Sequence, residues 1–299
     1  MFAKILGLAQ WLPERIRTNA EWPANFAELA RASEHRELVD VQTIANCKAD
    51  EIALRCIQAE SSDPFLGSKE RRVADDGITS AEAEAKAATL AIEDAGIDPA
   101  VIDLVISWTA LPDRICPPSA PKVAELVGAH RAYGVGIDMA CGSTIAQIEF
   151  AAGLIESGRA KCVLLTQSHL LSRAFKLLHP ASPTVGDAAT AIVMGESSEP
   201  GVLRTVGLSQ GRYHEAVTWC RANKGDPPWY EAGGAYYVGS RNLEQAEELV
   251  RSTVRLAAQS IEELVVVNGV ALSDIDLLVS VQPRKWVTSA IAEALGLCV

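Results

Sequence analysis

Residues 138–144 read DMACGST, and they place a thiol between two different secondary-structure patterns. The preceding run GVGI (134–137) is typical of a short buried strand, whereas IAQIEFAAGLIESG (145–158) has the apolar spacing of a helix. The first N–H groups of a helix lack partners within the helix, and together with the helix dipole they favour an anion. Cys141 is therefore a candidate thiolate nucleophile, and the alternative is a small cysteine that packs at a strand end.

Helix and strand patterns alternate around this junction. A helix is predicted over 79–95, with Thr79 as N-cap, Glu82 completing a capping box and Gly96 ending it. Strands are predicted over 102–108, 134–138, 162–166 and 188–195, with a helix over 143–157. This alternation indicates an α/β layered fold with a largely parallel central sheet. Cys162 begins a strand among apolar neighbours and is predicted to lie in the core.

The chain also repeats part of itself. PAVIDLVIS (99–107) resembles LSDIDLLVS (272–280), at an offset of 173 residues from residue 99 to residue 272. Further on, AELVG (124–128) resembles AEALG (292–296), at an offset of 168 residues from residue 124 to residue 292. Two matches in the same order favour a duplicated half over chance recurrence of a helix–turn–strand unit. After AEALG only LCV follows, so the second copy is either degenerate or incomplete.

Composition narrows the classes of function. The chain has 299 residues, 48% of them hydrophobic, which suits a globular protein with a sizeable core. No apolar run approaches the roughly 18 residues that span a bilayer, and the N-terminus lacks the small-residue cleavage site of a signal peptide. The net charge of −11 argues against a nucleic-acid partner. The same negative charge would repel an acidic carrier protein, unless a local basic patch offsets that repulsion. The best candidate for such a patch is Lys69, Arg71 and Arg72.

Cysteine and histidine usage predicts neither disulfides nor a metal site. The seven cysteines contain no CxxC pair and are irregularly spaced, and the five histidines show no metal-ligand spacing. This pattern is typical of reduced thiols, so a cytoplasmic protein is expected.

Three longer motifs resemble one known family. VGIDMACGSTIAQIEFAAGLIESGRAKCVLLTQSHLLSR (135–173), followed by PTVGDAATAIVMGE (183–196), is similar to the active-site region of the thiolase-fold ketoacyl-ACP synthase III family. ILGLAQWLPERIRTNAE (5–21) and GSKERRV (67–73) resemble that family's opening and its T-G-I-x-E-R segment. The resemblance implies a thiolase fold, which has two pseudo-duplicated α/β halves in a layered αβαβα arrangement. Residues 1–200 are then the half that carries the nucleophile, and 201–299 are a second half that is incomplete.

The same resemblance implies the chemistry and the assembly. Cys141 is the acyl-carrying nucleophile, and acyl-CoA or an acyl carrier protein is the donor through a phosphopantetheine thioester, with no other cofactor. A homodimer is expected, in which the strand 162–166 pairs across a two-fold axis. We also expect the second half to continue for about 40 to 60 residues beyond Val299, or a partner chain to supply that segment, which carries a general-base His and an oxyanion donor in the family.

The chain departs from the family where condensing enzymes carry P-H-Q-A-N. The matching stretch SVQPR places Val281 where the His lies, and valine cannot donate a hydrogen bond to a thioester oxygen or an enolate. Carbon–carbon condensation by the usual route is therefore disfavoured. The QPR-x-W segment instead resembles a branch that transfers acyl groups to a hydroxyl or amine in natural-product pathways, including antibiotic biosynthesis. Gln282, Arg284 and Trp286 are accordingly predicted to bind substrate, together with Arg71 and Arg72.

Three hypotheses of function remain at this stage. The first is a Cys141-dependent acyltransferase with a small-molecule acceptor, in which His169 of TQSHLLSR serves as base or acceptor-binding group. The second is a condensing enzyme on the same fold, and the third is a non-catalytic partner subunit. An aromatic segment within 211–240 either lines an acceptor pocket or packs as ordinary aromatic side chains, and its members are Trp219, Trp229, Tyr230, Tyr236 and Tyr237.

Overall fold

The computed structural model describes residues 1–32, 47–175, 177–179, 181–221 and 236–297. Two compact units are present. The first consists of Met1–Arg17, Arg71–Ser172 and Gly186–Thr205, and the second of Thr18–Glu70, Arg173–Val185 and Val206–Val299. The second unit thus includes two segments from the N-terminal part of the chain, and the predicted division at residue 200 stays a prediction.

Secondary structure follows the sequence pattern in most segments. The strands are β1 (Phe2–Trp11), β2 (Ile16–Thr18), β3 (Glu70–Arg72), β4 (Leu104–Thr109), β5 (Tyr133–Gly136), β6 (Cys162–Leu170), β7 (Asp187–Ser197), β8 (Thr218–Arg221) and β9 (Tyr236–Gly239). The α-helices are α1 (Phe26–Ala32), α2 (Lys48–Glu60), α3 (Ser80–Ala95), α4 (Ala120–Val127), α5 (Ser143–Glu156), α6 (Leu243–Asn268) and α7 (Val287–Leu295). The predicted capping of α3 is confirmed, because Thr79 and Glu82 form a capping box and Gly96 adopts a left-handed conformation.

The first unit is built on a five-stranded sheet in the order β1-β7-β6-β4-β5. β4 runs parallel to β5 and β6, whereas β7 is antiparallel to both β6 and β1. The expectation of a largely parallel sheet is therefore wrong for two strands. β7 returns directly from β6 through a loop, and only a crossover connection makes successive strands parallel. β1 was not predicted at all, and it forms one edge of the sheet.

Each face of this sheet is covered by helices. On one face, α3 and α4 pack over residues such as Val105, Leu164 and Val193. On the other face, α5 packs over residues such as Ile106 and Leu165. The alanine-rich face of α3 lets β1 approach so closely that a Cβ atom on Gly7 would lie 2.5 Å from helix backbone atoms, so only glycine fits at this crossing.

The strand arrangement also corrects one expectation about assembly. β6 lies inside the sheet, between β7 and β4, and both of its hydrogen-bonding edges are occupied. It therefore cannot pair across a two-fold axis, and the predicted dimer contact through 162–166 is wrong. The homodimer itself stays a prediction.

The sequence repeat is visible as a repeat of local structure. α3, Gly96 at φ +64° and a 3₁₀ turn at Pro99–Val101 correspond to α6, Gly269 at φ +65° and a 3₁₀ turn at Leu272–Asp274. After these turns the copies differ, because β4 follows in the first copy, whereas residues 275–281 are not part of any strand in the described chain. β4 is hydrogen-bonded to a strand on each side, whereas no described strand lies beside 275–281 to form backbone hydrogen bonds with it.

In the second unit, α2, α6 and α7 pack together through a small apolar cluster that includes Ile52, Val254 and Ala290. The buried Asp50 of α2 accepts a hydrogen bond from Arg255 Nε of α6 at 3.1 Å, which fixes the two helices against each other. Within the described residues, no helix combines the length and the apolar character that crossing a bilayer requires.

Candidate active site

Cys141 lies on a sharp turn that connects β5 to α5. Residues Ala140–Gly142 form one 3₁₀ turn, and α5 begins directly after it at Ser143. The Cys141 side chain is exposed, and no side chain caps the N-terminus of α5. The predicted strand–cysteine–helix junction is thus present.

The backbone of this turn is strained and firmly held. Ala140 has a φ of +47°, a left-handed conformation that costs a non-glycine residue about 1–2 kcal/mol. The buried Ser143 hydroxyl accepts from Met139 N–H at 2.9 Å and donates to the Ala140 carbonyl at 2.7 Å. Asp138 Oδ1 accepts from Ala140 N–H at 2.8 Å. These bonds offset the strain and present Cys141 outward, which is what a nucleophile that meets a large thioester requires.

His169 lies on the same sheet edge and the same sheet face as this turn. It is the eighth residue of β6, and the carboxyl ends of the parallel strands β4, β5 and β6 meet at one edge. Side chains alternate along a strand, and Leu165 of β6 packs on the α5 face, so His169 also points to the α5 face. Burial lowers the pKa of His169 below its usual 6.5, which keeps the imidazole neutral near pH 7.

Trp108 of β4 is a neighbour that sequence reasoning missed. Its ring meets the His169 ring edge-on, with the ring centroids 4.8 Å apart. The only sequence signal was its position at the carboxyl end of a strand, beside the loop cluster that carries Cys141. The indole covers one side of the imidazole and contributes to the burial that lowers the pKa of His169.

The remaining cysteines of this unit have different surroundings. Cys162 is buried in the core, as predicted, and burial raises its pKa to about 11. A thiol with such a pKa is almost fully protonated at neutral pH and is a poor nucleophile. Cys116 is exposed in the loop after β4, so solvent access alone does not distinguish it from Cys141.

Arg71 and Arg72 lie on the short strand β3, and both contact other parts of the protein. Arg71 is buried, and the Arg72 guanidinium donates to the Pro13 carbonyl at 3.0 Å. The backbone of β3 also lies close to Gly186 in the turn before β7, where an added Cβ atom would be 3.1 Å from the Arg72 carbonyl oxygen. Their assignment to substrate binding stays a prediction.

The QPR-x-W segment lies in the second unit and is organised by Glu60 at the end of α2. Trp286 Nε1 donates to Glu60 Oε2 at 3.4 Å, and Arg284 Nε forms an ion pair with the same oxygen at 3.7 Å. Burial raises the pKa of Glu60, and the Arg284 charge acts in the opposite direction. Gln282 is exposed. The role of all three motif residues in substrate binding stays a prediction.

Asp187 and three residues of the aromatic segment have defined positions. Asp187 is buried and accepts from Ala74 N–H at 2.8 Å, from Ser172 N–H at 2.9 Å and from the Ser172 hydroxyl at 2.6 Å. It thereby fixes the start of β7 to Ser172, which follows the end of β6, and to the chain at Ala74. Of the aromatic segment, Trp219, Tyr236 and Tyr237 form the β8–β9 hairpin, whereas Trp229 and Tyr230 lie outside the described residues.

Comparison with known proteins finds similarity over the stretch that contains the cysteine turn and over most of the chain. The family profile of 3-oxoacyl-[acyl-carrier-protein (ACP)] synthase III matches residues 136–211, the stretch that contains the cysteine turn, α5, β6 and β7. The chain is 26% identical to beta-ketoacyl-[acyl-carrier-protein] synthase III of Paramagnetospirillum magneticum, over 98% of this chain and 81% of that protein. It is 27% identical to the corresponding synthase III 1 of Vibrio vulnificus, over 99% of this chain and 82% of that protein.

Solved structures show the same fold. The priming beta-ketosynthase of the R1128 polyketide pathway superimposes with a TM-score of 0.77 at 23% identity, over 99% of this chain and 79% of that chain. The 3-oxoacyl-[acyl-carrier-protein] synthase III of Aquifex aeolicus superimposes with a TM-score of 0.74 at 24% identity, over 99% of this chain and 82% of that chain. OleA of Xanthomonas campestris has a TM-score of 0.73 at 19% identity, over 100% of this chain and 81% of that chain.

The chain therefore has the thiolase fold. Within that class it is similar to ketoacyl-ACP synthase III proteins, in line with the resemblance of its sequence motifs. Its relatives support a condensing or acyl-transferring enzyme.

Proposed function

We propose that this protein is an acyltransferase that loads an acyl group onto Cys141 and passes it to a hydroxyl or amine acceptor. The observation that carries the proposal is the turn 138–143, which holds an exposed thiol at the start of α5. Its relatives are named as beta-ketoacyl-[acyl-carrier-protein] synthases, and one structural neighbour belongs to a polyketide pathway. These names support a thioester of an acyl carrier protein as donor. Acyl-CoA is the alternative donor, which the resemblance of the sequence motifs implies.

The proposed reaction has two steps. In the first, the Cys141 thiolate attacks the thioester carbonyl, the carbonyl-to-sulfur bond of the donor breaks, and the donor sulfur leaves as a thiolate that takes a proton from water. In the second, the acceptor oxygen or nitrogen attacks the acyl-Cys141 carbonyl while a base takes the acceptor's proton, and Cys141 is released as a thiolate. The neutral, half-buried His169 is the base that we assign to the second step. The position of His169, on the face of the sheet that α5 covers, supports this assignment.

The first step is tested by intact mass after incubation with acetyl-CoA. We expect one acetyl adduct on the wild-type chain and none on Cys141→Ala. Cys116→Ala is the matched control, because Cys116 is also exposed, and its adduct should equal that of wild type. An adduct that persists in Cys141→Ala, or that disappears in Cys116→Ala, contradicts the proposal.

A carbon–carbon condensing enzyme is the second candidate, and the names of the curated relatives favour it. Val281, in place of the family His, argues against it, and this residue is exposed in a segment that forms no described strand. The acetylated protein should be mixed separately with malonyl carrier protein and with a panel of alcohols and amines. A ketoacyl product identifies a condensing enzyme, whereas an ester or amide product identifies the acyltransferase.

A further inference from the structure

The part of β6 that precedes His169 is polar on both faces of the sheet. Thr166, Gln167 and Ser168 follow an apolar run and lie deep in the first unit, with Thr166 and Ser168 fully buried. Buried polar groups are costly unless they are hydrogen-bonded. Their bonding partners come from two helices, one on each face of the sheet.

On the first face, Glu84 of α3 bridges both hydroxyls. Thr166 Oγ1 donates to Glu84 Oε2 at 2.6 Å, and Ser168 Oγ donates to Glu84 Oε1 at 2.9 Å. The carboxyl group is fully buried among the alanines of α3, where an apolar residue would fit the helix pattern. One side chain thus holds two positions of β6 that are separated by a single residue.

On the opposite face, Gln147 of α5 binds the same stretch of strand. Its Nε2 donates to the Thr166 carbonyl at 3.3 Å, and its Oε1 accepts from Gln167 Nε2 at 3.2 Å. Gln147 is also almost fully buried. It lies less than two helical turns after Cys141, so it connects the helix that begins at the nucleophile to the strand that carries His169.

We propose that Glu84 and Gln147 are positioning residues that clamp β6 between α3 and α5 and thereby set His169 relative to Cys141. The clamp acts on residues 166–168, and His169 is the next residue, on the face that Gln167 and Gln147 share. The proposal rests on the proposed function insofar as His169 is the base of the second step. A displacement of about 1 Å between reacting groups can cost roughly 100-fold in rate, so a firm hold on this strand has a large effect.

The first test measures the environment of His169 without any reaction. The imidazole pKa is followed by NMR in wild type, Glu84→Leu, Gln147→Leu and Glu84→Gln, with His169→Asn to assign the signal. Breaking either side of the clamp should loosen the packing around the ring and raise the pKa of His169 toward its ordinary value. Glu84→Gln retains an acceptor and a donor for the two hydroxyls, so it should restore the wild-type pKa.

The second test measures loss of the acetyl adduct of Cys141 to water, with acetyl-CoA as the probe donor. Glu84→Leu and Gln147→Leu should load at rates close to wild type but lose the adduct roughly 10- to 100-fold more slowly. The rate of adduct loss in Glu84→Gln should lie within about threefold of the wild-type rate, because glutamine can still hydrogen-bond both hydroxyls. Glu82→Gln is the matched control on the same helix, because it removes a capping carboxyl without touching β6, and it should match wild type.

The outcomes separate this proposal from the proposed function. If wild type forms no adduct, the proposed function fails, and the NMR measurement still decides the clamp. The clamp is refuted if a folded Gln147→Leu or Glu84→Leu variant leaves the pKa of His169 unchanged, or if Glu84→Gln fails to restore it. Should Glu84→Leu not fold, Gln147→Leu decides alone, because leucine fills the buried site with an apolar group of similar volume.

Discussion

At the scale of single residues, burial decides how His169 holds a proton. Since burial lowers its pKa below 6.5, we expect the rate of acetyl-adduct loss to change little from pH 8 to pH 7 and to fall at lower pH, as the base becomes protonated. His169→Asn should slow this step roughly 100- to 10,000-fold. His214→Asn, at an exposed histidine, should have no effect. A rate that already falls between pH 8 and pH 7 would assign the base to another group.

Two carboxyl groups on α3 should respond to pH in opposite directions. Burial, with a minor contribution from Asp113 in the loop after β4, raises the pKa of Glu84 from 4.5 to about 7. Because the folded state then binds more protons than the unfolded state, stability is fully present below pH 4.5 and is lost as pH rises through about 7. The loss is on the order of 3 kcal/mol, and Glu84→Gln should remove it.

The contribution of Glu82 to stability depends on pH in the opposite direction. Hydrogen bonds from the Thr79 backbone and hydroxyl lower the pKa of Glu82, so its contribution is present above its ordinary value and is lost as pH falls through the folded pKa. Denaturant unfolding of wild type and of both glutamine variants between pH 3 and pH 8 checks both signs. Equal pH dependence in wild type and Glu84→Gln would show that Glu84 does not titrate in the folded protein.

At the scale of elements, left-handed glycines end the two helices of the repeat. Gly96 and Gly269 have φ of +64° and +65°, so Gly96→Ala and Gly269→Ala should each reduce the free energy of unfolding by about 1 kcal/mol. Gly153 lies inside α5 with open space around it, and Gly153→Ala should increase the free energy of unfolding by about 0.5–1 kcal/mol. Thermal or denaturant unfolding measures all three variants. Destabilisation by Gly153→Ala would indicate that the outer surface of α5 is occupied.

At the scale of the whole molecule, equivalent residues of the repeat have unequal surroundings. Leu104 of β4 is 1% exposed, whereas Leu277, which lies 173 residues later, is 78% exposed. Leu104→Ala should therefore cost about 2–5 kcal/mol, as large-to-small changes in a core do. Leu277→Ala should cost less than about 0.5 kcal/mol, as exposed substitutions do. A large cost at Leu277 would mean that 275–281 is covered in solution, by a second copy or by another chain.

Local features were predictable from the sequence, and they were predicted accurately. The capping box and the stop glycine of α3, the buried strands β4 and β6, and the cysteine turn before α5 all depend on interactions within a few residues. Such short-range interactions can be predicted from the local sequence. The repeat was also readable, since Gly269 and the turn after it reproduce those of the first copy. The resemblance to the ketoacyl-ACP synthase III family rested on the same local motifs.

Tertiary structure alone decided which distant residues meet. β1 and β7 run antiparallel because of the path of the connecting chain, and no local pattern records that path. The contact of Trp108 with His169, and the bonds of Glu84 and Gln147 to β6, join segments that are separated by about 20 to 80 residues. The segment 275–281 has the composition of a buried strand, but a strand needs a neighbour to complete its hydrogen bonds, and in the described chain none lies beside it.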